Sequence, residues 1–399
     1  MNMVRTGNIG LVKKINKQIV LKLIREKNNI SRAEIAKITG LNKATVSALV
    51  DELISEHFVS ESGIGVSTGG RRPLMLRFNE AAGSLIGIEL GVNYIYAVLT
   101  DLNAEIIWQK MVHFRANETQ ETIMEKMIAM IHEAIRHAPA TPYGIMGIGI
   151  GVPGIVNTEE GVVIFAPNLH WDHVALASIL QKQWPDYPII IENEAKLAAL
   201  GEKWFGAGKE FANFVYVSAG TGIGAGIIIH NQLYRGTDGI AGEIGHHVID
   251  IHGVRCSCGN NGCWEMYASE KYIQRRLEQE NHHSMLEDFS VEKVRALAER
   301  GDKQMAQILA EVGRYLGIGI LHIIYAYNPE AVIVGNTIGT AGKWVLEPAR
   351  DEVAKRILVK NGGGPFIIPS QLSEKSCAIG AVASVLEKVV MPSELEVIS

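Results

Sequence analysis

Three of the chain's four cysteines, Cys256, Cys258 and Cys263, fall within eight residues, and a His246-His247 pair lies just upstream. Three thiolates and one imidazole form the tetrahedral set that zinc favours, and Gly259 and Gly262 allow the tight turns that bring sulfurs together. Such clustering is metal spacing rather than a dispersed disulfide framework, and it fits a reducing compartment. With all four positions supplied by protein, the ion would clamp a loop rather than activate a water. His246 and His247 compete for the imidazole place. Cys377, far along the chain, is expected to be a small core residue.

A second constellation surrounds this loop. Glu192 and Glu194 flank Asn193, Glu243 stands three residues before His246, and Glu265 two after Cys263. Carboxylates and amides each satisfy one or two hydroxyls of a polyhydroxylated ligand in a cleft that has expelled water. Any one of these acids could equally be a solvated helix-start residue, placed there by the helix dipole. Together they point to a carbohydrate site.

A third feature is charge. The first eighty residues carry 13 Lys or Arg against 7 Asp or Glu, on a chain whose net charge is −5. A basic module on an acidic body suits a phosphate-bearing partner at one end.

The elements that must position these groups follow from periodicity. Residues 13–27 place Ile15, Ile19, Leu23 and Ile24 at helical spacing. Ser31 to Glu34 is a capping box that opens a second helix ending at Thr39-Gly40. Asn42 caps a third helix with Val46, Leu49, Val50 and Leu53 on one face. After Phe58 a glycine-rich, alternating stretch predicts a two-stranded wing tipped by Arg71 and Arg72. This order is that of a winged helix-turn-helix. Its candidate contacts to double-stranded operator DNA are Ser31, Arg32, Asn42, Lys43, Thr45 and Ser47 around the recognition helix, with Arg71 and Arg72 on the wing.

From Leu85 onward strands alternate with helices in two similar series, the second starting at Phe214. The fold class is therefore α/β, with two lobes and a cleft between them. The expected boundaries are 1–82 for the head, 83–205 for the first lobe and 206–399 for the second, with a C-terminal helix able to return to the first. No uninterrupted apolar run approaches membrane-spanning length, and the N-terminus lacks the apolar core of a secretory signal. A cytoplasmic protein, without a membrane partner, is expected.

Glu243-Ile244-Gly245-His246 with the C-x-C-G-x-x-G-C run, Glu192-Asn193-Glu194-Ala195, and Gly220-Thr221-Gly222-Ile223-Gly224 resemble the ROK family of bacterial repressors, open reading frames and sugar kinases. The likeness covers essentially the whole chain. It implies an actin-like (sugar kinase/ribonuclease H-like) body, a homodimer, and a sugar held by Asn168, Asn193, Glu194, Glu243, His246 and Glu265. It also gives His246 a double duty, one ring nitrogen on zinc and the other toward a sugar hydroxyl. The added head, with the runs ISRAEIAKITGLNKATVS and CSCGNNGCWEMYASEK, resembles the family's repressors and implies D-xylose as inducer.

The sequence departs from the family's kinases. Where they carry Asp-x-Gly-Gly-Thr in the first phosphate loop, this chain has Glu89-Leu90-Gly91-Val92-Asn93; where they place a catalytic Asp after Asn, it has Glu194. A missing glycine hinders backbone approach to phosphate, and an extra methylene displaces a catalytic carboxyl by about 1 Å. A sugar-binding repressor without catalysis is the expected function. The alternatives are a sugar kinase with a DNA-binding head, and a repressor answering another sugar, such as glucose or an amino sugar phosphate.

Overall fold

The computed structural model describes residues 9–64, 72–115, 117–358 and 365–392. The head comprises α1 (Ile9–Lys27), β1 (Ile30–Ser31), α2 (Arg32–Thr39), α3 (Lys43–Ser55), β2 (Val59–Ile64) and β3 (Leu74–Phe78). Its local signals fold as their chemistry dictates. Ser31 Oγ accepts from Glu34 N while Glu34 reaches back to Ser31 N, and Gly40 closes α2 in the left-handed region at φ 73°. Asn42 accepts from Thr45 N to start α3, whose Val46, Leu49, Val50 and Leu53 are buried. Two details differ from expectation. The buried face of α1 is Val20, Leu21 and Ile24 rather than the Ile15 and Ile19 side, and β1 adds a third strand to the wing by pairing with β3.

The body contains two five-stranded sheets of like topology. The first lobe has β4 (Ser84–Leu90), β5 (Tyr94–Thr100), β6 (Ile106–His113), α4 (Gln120–His137) and β7 (Ile145–Val152). A small antiparallel sheet of β8 (Ile155–Asn157), β9 (Val162–Ala166) and β10 (Trp171–Val174) follows, then α5 (Leu176–Gln181), β11 (Ile189–Asn193) and α6 (Glu194–Phe205). The second lobe has β12 (Phe214–Ala219), β13 (Ile223–Ile229), β14 (Gln232–Tyr234), α7 (Glu265–Ala268), α8 (Glu270–Gln279), α9 (His283–Glu287) and α10 (Val291–Glu299). It continues with α11 (Lys303–Tyr327), β15 (Ala331–Gly335), α12 (Asn336–Thr340), α13 (Lys343–Arg356), β16 (Phe366–Pro369) and α14 (Ser376–Val385).

Strand order is β6-β5-β4-β7-β11 in one lobe and β14-β13-β12-β15-β16 in the other. In each, a three-strand antiparallel meander is extended by two parallel strands. The repeated pattern is the actin-like duplication.

Two helices determine how the parts are joined. In α11, long and apolar enough by composition to cross a membrane, 12 residues from Met305 to Ile324 are buried in the core of the second lobe. In contrast, α14 leaves the second lobe and lies on β4, β7 and α6; a side chain at Gly201 would lie 2.5 Å from Ser376 O, so α6 and α14 touch backbone to backbone. The apolar core of the head runs without a break into this junction, through Phe78, Leu85, Tyr96, Val382, Leu386 and Met391.

Candidate functional site

In the head, α3 presents Lys43 fully at the surface and Thr45 and Ser47 partly so. Asn42 is also exposed, with its Oδ1 engaged in capping. Ser31 is buried inside the capping box, and Arg32 is held by Asp51 at 2.7 Å. Ser31 thus caps α2, and Arg32 braces α2 against α3. Arg72 is exposed on the wing, and Arg71 lies outside the described residues.

In the body, β11 delivers Glu192 and Asn193, and α6 starts with Glu194. Asn193 caps α6 through bonds from Ala195 N and Lys196 N, and its amide donates to Gly154 O at 2.9 Å. One amide hydrogen remains for a ligand. Glu192 is buried and turned away from any ligand role: one oxygen accepts from Asn193 N, the other from Arg235 Nε at 2.6 Å. Glu194 stays partly open, yet burial, with the nearby Glu89 and Glu243 carboxyls, pushes its carboxyl up to about 8. Burial likewise raises Glu243, with Lys196 and His246 opposing the shift.

The second lobe closes around the same point. A Cβ on Gly224 would sit 3.0 Å from Ala195 Cβ, and one on Gly222 would sit 2.8 Å from Glu265 Oε2, so β13 packs directly on α6 and the turn before it on the start of α7. Glu243 precedes the 3-10 turn Ile244–His246, whose Gly245 rests on Ile223. Asn193, Glu194, Glu243, His246 and Glu265 thus gather around the start of β13. Asn168 is exposed on the turn after β9; its neighbours Phe165 and Ala166 lie against Gly154, the residue that receives the Asn193 amide.

His246, Cys256, Cys258 and Cys263 place their ligand atoms within 4.8 Å of one another. His246 Nδ1 is 3.7 Å from Cys256 Sγ, and Cys258 Sγ is 3.6 Å from Cys263 Sγ. Tetrahedral zinc at about 2.3 Å from each sulfur needs sulfurs about 3.8 Å apart, so the donor set fits. The choice between the histidines falls to His246, since His247 is exposed and faces His322 instead. With Nδ1 toward the sulfurs, Nε2 is left for another partner.

The two glycine loops are both filled from within. At the first, Tyr94 lies over Gly91, where a side chain would collide with its ring, and its hydroxyl donates to Glu89 Oε1. Glu89 Oε2 is buried with no partner among the described residues, and burial pushes this carboxyl up to about 7. At the second, Thr221 Oγ1 donates to Glu270 Oε2 at 3.3 Å, and Thr337 donates to the other oxygen.

Comparison with known proteins decides the family. The ROK family model matches residues 85–388, and a winged helix-turn-helix DNA-binding model matches residues 15–60. The chain belongs to the ROK family. It is 43% identical over 376 residues to the xylose repressor of Bacillus subtilis (strain 168), covering 94% of this chain and 96% of the relative. A ROK family transcriptional regulator, a homologue of the E. coli MLC protein, superposes with a TM-score of 0.80 at 26% identity, over 98% of this chain and all of the other. A ROK glucokinase from Streptomyces griseus, solved with glucose and AMPPNP, gives 0.67 at 31% identity over 75% of this chain and 98% of that enzyme.

Sequence reasoning missed three residues of this ROK body. Arg235 and Lys196 tie the loop before Glu243 to the first lobe, the latter through a bond to Gly239 O. Tyr94 closes the first glycine loop. No motif marks Arg235 and Lys196, because each acts on a partner far along the chain: 43 residues separate both Arg235 from Glu192 and Gly239 from Lys196. Tyr94 acts locally, on Glu89 and Gly91, and reads in the sequence as one more strand aromatic.

Proposed function

We propose that this chain is a sugar-responsive transcriptional repressor that binds a palindromic operator as a homodimer and releases it when D-xylose enters the cleft. The observation that carries the reading is the joining of a winged helix-turn-helix to a body in which Asn193, Glu194, Glu243, His246 and Glu265 gather at one strand start. The name of the B. subtilis relative supports D-xylose as the sugar. Residues 1–82 form the head, 83–205 the first lobe and 206–399 the second, with α14 seated on the first.

In this reading Glu194 and Glu243 accept sugar hydroxyls, the remaining Asn193 amide hydrogen donates to one, and Asn168 covers the rim. His246 offers Nε2 to a hydroxyl while Nδ1, Cys256, Cys258 and Cys263 hold zinc. The metal would serve to clamp the loop that carries His246 and Glu265. Lys43, Thr45, Ser47, Asn42, Arg71 and Arg72 meet DNA; Ser31 and Arg32 support them by holding α2 and α3. The protein works in the cytoplasm, where operator and monosaccharide meet.

The kinase alternative is disfavoured by two features. Tyr94 occupies the first glycine loop, and the Glu270 carboxylate sits on the second, where it would repel a phosphate. Calorimetric titration of the full chain with D-xylose, D-glucose and an amino sugar phosphate, beside a coupled assay for ADP formation, tests the reading. It expects D-xylose binding, abolished in Glu243→Gln, and no sugar-dependent ADP. Sugar-dependent turnover of ATP would replace repressor by enzyme.

A further inference from the structure

Between the sugar candidates and the head lies one helix. α6, capped by Asn193, begins with Glu194 and ends with Trp204 and Phe205, 12 residues that span about 18 Å. Its two ends touch different parts of the molecule. At the far end the Arg25 guanidinium of α1 lies 4.6 Å from the Trp204 ring centre, 5.2 Å from Phe205 and 6.0 Å from Phe78 of the wing.

Three aromatic rings surround the guanidinium. Arg25 Nε is buried with no hydrogen-bond partner among the described residues, so this part of the cation rests on the faces of the aromatic rings around it. Burial also lowers its pKa to about 10. Ile24 and Leu21, on the same helix, are fully buried in the core shared with α14. A cation largely withdrawn from water is a costly way to glue two parts together, and an apolar side chain would pack there more cheaply. Its worth lies in geometry: a planar cation between rings is directional, and its contact weakens when the rings shift.

α6 is built to carry such a shift as one body. Its backbone touches α14 at Gly201, and Glu202, fully buried, accepts from Ala207 N at 2.7 Å, Leu372 N at 3.0 Å and Ser376 Oγ at 3.1 Å. Nearer its start, Lys196 reaches Gly239 O in the loop leading to Glu243. A rotation of the second lobe that closes on a ligand therefore pulls on the first turn of α6, and the helix has no internal break at which to absorb it.

We propose that Arg25 is the positioning residue through which sugar occupancy at the start of α6 is passed to the DNA-binding head. The proposal rests on the sugar-binding repressor reading above. Displacement of the Trp204-Phe205 end relative to Phe78 opens the ring cage, Arg25 no longer fixes α1 against the body, and the head leaves the orientation that grips duplex DNA.

The test uses full-length wild type, Arg25→Met, Arg25→Lys and Trp204→Leu. Three quantities are measured: D-xylose binding by calorimetry, operator affinity by fluorescence anisotropy without sugar, and the same affinity at saturating D-xylose. In Arg25→Met the sugar affinity and thermal midpoint are expected to stay near wild type, while the ratio of operator affinities without and with sugar falls by about tenfold. Arg25→Lys, which keeps the cation, should recover part of that ratio, and Trp204→Leu should reproduce the Met variant should the latter fold poorly. A cage that only glues head to body would lower the thermal midpoint and leave the ratio intact, and that result overturns the proposal. Wild type that binds no D-xylose would instead overturn the sugar reading itself, and this inference with it.

Discussion

Arg235, from the second lobe, places its Nε 2.6 Å from Glu192 Oε2 at the end of β11 in the first. The Glu192 side chain is 2% exposed, whereas Arg235 keeps 43% of its side chain in solvent. This pair fastens the loop that leads to Glu243 against the strand that leads to Asn193. Arg235→Ala leaves a buried carboxylate without its charged partner, and the expected loss is about 1.5–3 kcal/mol, the value of a hydrogen bond to a charged group. The thermal midpoint should fall and sugar affinity should weaken with it. Unchanged sugar affinity in a destabilised variant would separate the latch from the site.

The head makes two kinds of contribution that mutation can distinguish. Ser31→Ala removes a cap from α2 and is expected to cost about 1 kcal/mol of stability. Lys43→Ala, at an exposed position at the start of α3, should leave the thermal midpoint alone. It should weaken operator binding and lower the slope of log affinity against log salt by about 1. Equal salt slopes in wild type and Lys43→Ala would remove Lys43 from the phosphate contacts.

Zinc is expected at one ion per chain by elemental analysis, and cobalt substitution should give the absorption of a tetrahedral thiolate site. Cys258→Ser or a strong chelator should release the metal and lower the thermal midpoint, because binding at such a site is folding energy. His247→Ala should keep the metal, as His247 faces His322. Metal loss on changing His247 and retention on changing His246 would reverse the ligand assignment.

Glu89 and Glu194 give the body a pH dependence of definite sign. Both carboxyls rise above 4.5, to about 7 and about 8, so the folded state binds protons that the unfolded chain has released. Their contribution is complete below about 4.5 and is lost as pH climbs through 7 and 8. The thermal midpoint of the sugar-free protein should therefore decline across that range. Glu194→Gln, which stays neutral, should flatten the decline; an equally steep fall in that variant would show that other groups govern it.

Much of this was legible because it is local. The capping box at Ser31, the Gly40 stop, the Asn42 cap and the cysteine spacing each declare themselves within a few residues. Strand pairs in both sheets followed from alternation and glycine turns. What the sequence hid is long-range. β1 is two residues whose pairing depends on β3, more than forty positions away, and the buried face of α1 is chosen by the core it shares with α14. Ser31 and Arg32 have the polar character of DNA contacts, yet their partners Glu34 and Asp51 commit them to bracing the head. Charge and hydrogen-bonding capacity identify a candidate; only packing reveals whether that capacity is already used.

Sugar control of DNA binding is measured by titrating the full-length protein onto its operator in the absence and presence of saturating D-xylose. Tight binding is expected without the sugar, and a loss of affinity of about 5- to 150-fold with it, the usual span of coupling between two sites. Identical affinity under both conditions, in protein that calorimetry shows to be sugar-loaded, would contradict it.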